Sequence, residues 1–112
     1  MSIKARVKLG ADLLDKEIPE WESRQDLEEL YLKSAYMCVL GQAEEARDYW
    51  TTLQDLFPGK SDIELNELAF EHGFNIKAHD EPIISEEDER YYASLTDEWK
   101  KLIVKRRNNQ RV

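Results

Sequence analysis

A chain of 112 residues has the length of one domain, long enough to bury a core without disulfides or metal and too short for two cores. Its net charge of −8 is unevenly spread, with 24 acidic against 10 basic side chains over residues 1–99 and six basic against none over residues 100–112, so most of the surface repels phosphate backbones. The apolar runs at 36–40 and 102–104 fall far short of the roughly 20 residues of a membrane span, the basic start at 1–6 has no apolar segment behind it, and the single Cys38 has no internal disulfide partner, which together point to a cytoplasmic protein.

Ile3, Val7, Leu14 and Ile18 recur at helical spacing, with Ala11 and Leu13 between them and Pro19 closing the segment; a helix over about residues 3–17 follows. Residues 19–23 read as a connection, and Asp26 is placed to cap a short turn holding Leu27, Leu30 and Tyr31. Ser34 is placed to cap the next segment, whose apolar positions run from Ala35 to Leu40 and then through Ala46, Tyr49, Trp50, Leu53, Leu56 and Phe57 as one helix or two. Gly41 in its middle marks either a break or a close approach by another backbone, and Pro58-Gly59 ends it. Ser61-Asp62-Ile63-Glu64 has capping-box spacing and opens a fourth helix, for which Gly73 is a suitable C-terminal cap. Phe74 and Ile76 then turn into the core, and residues 75–84 suit an extended loop. Ser85-Glu86-Glu87-Asp88 repeats the cap and starts a last helix over about residues 86–107, with Tyr92, Leu95, Trp99, Leu102 and Ile103 at spacings of three or four and residues 108–112 as a frayed basic tail.

No stretch alternates with period two, so the predicted fold is all-α: one bundle of about five helices over residues 1–107, built around 36–40 with Trp50, Phe70 and Trp99 beside it. A short strand at 36–40 is the competing reading.

The chemistry-bearing residues are sparse. Cys38, His72 and His79 are of metal-ligand type, but 34 residues separate the cysteine from the first histidine, so no metal or cofactor is expected; His72 instead suits the end of the fourth helix. The acidic runs Glu44-Glu45, Glu86-Glu87-Asp88-Glu89 and Asp97-Glu98 are typical of helix starts and solvated faces rather than of desolvated carboxylate pairs, Cys38 has no local base, and the four glycines are scattered. No catalytic residue is assigned and a non-enzymatic protein is expected. Aromatic residues exceed what a small bundle hides, and exposed Trp and Tyr are favoured at binding centres. Trp21, between Glu20 and Glu22, and Tyr91, in a charged first turn, are the candidate protein-binding residues. Lys105, Arg106 and Arg107 are candidate phosphate contacts, with the competing roles of complementing the helix dipole and of meeting the protein's own acidic body.

The order Gly10-Ala11-Asp12-Leu13-Leu14-Asp15, Pro19-Glu20-Trp21, Cys38-Val39-Leu40-Gly41-Gln42, His72-Gly73-Phe74-Asn75 and Leu95-Thr96-Asp97-Glu98-Trp99-Lys100-Lys101-Leu102-Ile103 resembles a set of small proteins encoded by actinobacteria and their bacteriophages. The resemblance implies a setting, a host-directed interaction, and no activity. Relatives in that set carry a second cysteine where this chain has Ala35, so any metal or redox pair built on it is lost here.

The expected function is binding of another protein, a host protein or a second copy, through an acidic, aromatic-containing surface. The alternatives are a DNA mimic that occupies the nucleic-acid cleft of a host enzyme, and nucleic-acid contact through the basic C-terminal helix.

Overall fold

The computed structural model describes residues 2–44, 47–76 and 85–109, and among these the regular structure is five helices with no strand. The Ser2 hydroxyl accepts the Ala5 amide (3.1 Å) and starts α1, Ile3–Glu17, which buries Val7, Ala11 and Leu14 along one stripe and stops ahead of Pro19. After a long run of turns come α2, Val39–Ala43, and α3, Tyr49–Leu56, whose first turn is capped by the Asp48 carboxylate on the Thr51 amide (2.8 Å). The predicted capping box is complete at α4, Asp62–Glu71: Ser61 Oγ accepts the Glu64 amide and the Glu64 carboxylate accepts the Ser61 amide. Ser85 and Asp88 make the same reciprocal pair at the start of α5, Glu86–Asn109, which continues two residues beyond the expected end. Residues 77–84, most of the expected extended loop, and residues 110–112 of the expected tail lie outside the described residues.

α1 packs against α5 and α4, and α3 bridges α4 to α2. Gly73, at φ 70°, reverses the chain after α4 and lets Phe74 and Ile76 turn inward, as expected. The centre of the molecule is an aromatic row. Trp21 meets Trp99 edge-on (5.8 Å, 83°), Trp99 stacks with Phe74 (5.8 Å, 14°), and Phe74 stacks with His72 (6.2 Å, 14°). Each such pair adds about 0.5–1.5 kcal/mol beyond the apolar area it buries. Both buried indoles have an acceptor: Trp99 donates to the Gly73 carbonyl (2.7 Å) and Trp21 to Asp15 (2.9 Å).

Residues 36–40 do not form the centre. Ser34 caps a turn through the Tyr36 and Met37 amides, and the helix begins only at Val39; Cys38, Val39 and Leu40 are buried while Tyr36 and Met37 are left on the surface. Trp50 is half-buried at the core's edge, and Phe70 lies beneath the Arg6 guanidinium (4.2 Å) instead of inside the core. Gly41 is a close approach: a Cβ there would lie 2.5 Å from the Tyr36 carbonyl oxygen. Among the described residues no helix is long and apolar enough to cross a membrane.

Candidate binding surface

Trp21 is wholly buried (0% exposed), which corrects its assignment as a surface contact. The turn after Pro19 carries its ring inward: Trp21 N–H donates to the Ile18 carbonyl (2.9 Å), and the side chain fills the space between Trp99 and Asp15 while Glu20 faces solvent. Tyr91 is 37% exposed, and its hydroxyl accepts a hydrogen bond from the buried Arg6 (2.8 Å).

The candidate phosphate contacts divide. Arg106 faces Asp12, Asp15 and Glu22, with its shortest contact 2.9 Å to Asp15, and Arg107 donates to the carbonyls of Glu22 and Gln25 (3.1 and 2.8 Å). These two cations contact the molecule's own acidic and carbonyl groups; Lys105 alone of the three stays exposed and has no ion-pair partner among the described residues. Burial pushes the Asp15 carboxyl up, and the hydrogen bonds from Arg106 and Trp21 outweigh it and hold the group below the ordinary range.

The two candidate ligand-type side chains are already engaged. Cys38 Sγ accepts the Gly41 amide at the start of α2 (3.3 Å) in a buried site, and His72 Nδ1 lies 2.8 Å from the Leu68 carbonyl at the end of α4, in the capping position expected for it. Among the described residues no three His, Cys, Asp or Glu side chains gather as a metal site. His79 lies outside the described residues.

Among the described residues, Tyr36 (64% exposed), Met37 (39%) and Tyr31 (38%) are exposed together on the connection between α1 and α2, although the apolar run at 36–40 suggested burial for the first two. Tyr31 N–H donates to the Met37 carbonyl (3.1 Å), which closes the segment into a tight loop. Gln42 clasps the loop's base, its amide donating to the Met37 carbonyl (2.9 Å) and its oxygen accepting the Asp26 amide. Two further ties fix the loop to α5: Lys33 and the Tyr31 hydroxyl both donate to Glu89, which holds that carboxyl below its usual range, and the Leu32 amide donates to Thr96 Oγ1 (3.0 Å). Leu30 and Leu32 are buried beneath. Asp26, Glu28 and Glu29 are exposed on the same connection, as is Lys33, which is paired with Glu89. The signal that could have found the exposed cluster is the Ser34 cap, which places Tyr36 and Met37 in a turn ahead of α2.

No protein-family model matches the chain, and no curated protein or solved structure is similar to it.

Proposed function

We propose that this protein binds another protein through the loop carrying Tyr31, Tyr36 and Met37. The observation that carries this reading is the 64% exposure of Tyr36 on a loop held by hydrogen bonds at its base and to α5. An exposed tyrosine beside an exposed methionine is the composition of an interface centre rather than of an ordinary surface. The ties to Gln42, Glu89 and Thr96 order the loop before binding, so less conformational freedom remains to be lost on association. The exposed carboxylates Asp26, Glu28 and Glu29 on the same connection favour a partner with a basic surface and steer its approach, while the rings and the thioether supply the buried contact. The resemblance to actinobacterial and phage proteins supports a host protein as that partner.

The test is capture of partners from an actinobacterial lysate at low and high salt by the wild type and by the Tyr36→Ser/Met37→Ser double variant. Both substituted side chains are exposed, so the variant should match the wild type in thermal unfolding. A partner kept by the wild type at high salt and lost by the variant is the expected result. A partner lost at high salt yet kept by the variant would instead favour charge mimicry of nucleic acid, and absence of any specific partner would overturn the reading.

A further inference from the structure

A groove of about 720 Å³ lies between the first half of α1 and the last half of α5, away from the Tyr36 loop, which meets α5 near its start. Lys4 and Lys8 line one wall and Lys101 and Lys105 the other. In each pair the residues are four apart, so the cations follow one another about 6 Å apart along each helix. Between the walls lie the exposed Ala5 and the half-buried Leu102, above the buried Val7, and the Glu98 carboxylate lines the groove beside Lys101.

The charge here is opposite to that of the molecule as a whole. Lys8 is paired with the exposed Asp12 (i,i+4, 3.1 Å) and Lys101 with the half-buried Glu98 of the groove itself (i,i+3, 3.7 Å); Lys4 and Lys105 have no ion-pair partner among the described residues. Arg106, at the groove's edge, is already neutralised by Asp12, Asp15 and Glu22. Tyr91 continues the same stripe of α5: Glu98, Leu102 and Lys105 follow it by seven, eleven and fourteen residues, whole turns of the helix. The face therefore presents four lysines against one carboxylate, a small apolar floor of Ala5 and Leu102 between them, and a half-exposed aromatic beyond one end.

We propose that this groove is the docking site for an acidic amphipathic helix of a partner protein. Such a helix carries an apolar stripe at i, i+3, i+4 and i+7 flanked by carboxylates, and it would lay the stripe on Ala5 and Leu102 with carboxylates against the lysines of each wall. A nucleic-acid strand fits less well: its backbone would leave the apolar floor dry against charge, the groove itself holds no aromatic ring for base stacking, and a strand longer than the groove would run onto a surface of net negative charge.

The experiment uses the full chain and a fluorescent peptide of about sixteen residues, long enough to hold a helix, with leucines at three- and four-residue spacing flanked by glutamates. Two siblings serve as comparisons, one with lysine for glutamate and one with serine for leucine, along with a short single-stranded DNA of similar length. The expected result is binding of the acidic amphipathic peptide above all three, with amide shifts at Ala5 and Leu102. Affinity should fall roughly tenfold or more in Lys101→Glu/Lys105→Glu, which reverses two rim charges, and stay unchanged in Tyr36→Ser/Met37→Ser, so that failure here and failure of the loop reading are separable. Equal binding of the serine sibling, equal or tighter binding of the DNA, indifference to the double charge reversal, or no binding of the peptide would each overturn the proposal.

Discussion

Burial pushes the Cys38 thiol from an ordinary value of 9.0 up to about 11, against a smaller opposing effect of the Gly41 amide. The folded protein therefore keeps this proton where the unfolded chain releases it. Its contribution to stability is intact below pH 9.0 and is lost as pH rises toward 11, a loss of roughly 2 kcal/mol at about 1.4 kcal/mol per unit. Urea midpoints of the wild type and of Cys38→Ala at both ends of that window check this: the variant should start about 1–2 kcal/mol less stable through the lost cap and packing, and should fall less over the window. At the same scale Trp21 shows where reading neighbours in sequence misleads. Its flanking glutamates suggest solvent, yet only Glu20 is exposed: Glu22 turns toward Arg106, which also lies over the Trp21 ring, and the acceptor at Asp15 makes burial of the indole N–H affordable.

At the scale of elements, helix starts were legible because capping is local. Ser61, Ser85 and the stop before Pro19 each depend on residues within four positions, and all stand where the pattern placed them. The crossing of α1 over the end of α4 depends on residues far apart in sequence. It requires Gly10, where a Cβ would sit 2.0 Å from the His72 carbonyl oxygen and 3.1 Å from the Phe74 ring. Alanine gains about 1 kcal/mol of helix propensity at an interior position, but the blocking atom is backbone, and forced overpacking of this kind costs about 3 kcal/mol or more. Gly10→Ala should thus lower stability by about 2 kcal/mol. Gly59→Ala, at φ 80° with nothing within 4 Å, should lose only about 1 kcal/mol to backbone strain. Parallel denaturant titrations of the two variants separate a packing effect from a purely conformational one.

Over the whole molecule, the basic end of α5 is tied to the acidic body by Arg106 and Arg107, which reach residues more than eighty positions earlier. Because Asp15 is held below the ordinary carboxyl range, its contribution is present at neutral pH and is lost as pH falls through the folded value. Arg106→Ala should then lower stability by about 1–2 kcal/mol at pH 7, since Asp12 and Asp15 are half exposed but Glu22 is largely buried, and by clearly less at pH 3 or in high salt. Melting followed by circular dichroism under the three conditions checks it; an equal loss in all three would mean that the side chain acts by packing on Trp21 (5.8 Å) and not by charge.

What the chain determines by itself is its all-helical class, the span of α1, α4 and α5 and much of its core: periodicity and caps act over a few residues, so these and the inward turn of Phe74 and Ile76 are written locally. Which aromatic is buried and which is offered to a partner was decided only in three dimensions. Trp21 is inside because Trp99, Asp15 and the turn after Pro19 converge on it, and Tyr36 is outside because the helix after Ser34 starts four residues later than its apolar run does. The lysine-walled groove is likewise a product of packing, since Lys4 and Lys8 face Lys101 and Lys105 only once α1 lies along α5. Local patterns specify elements; a surface is composed of residues from several elements, and its character is fixed when they meet.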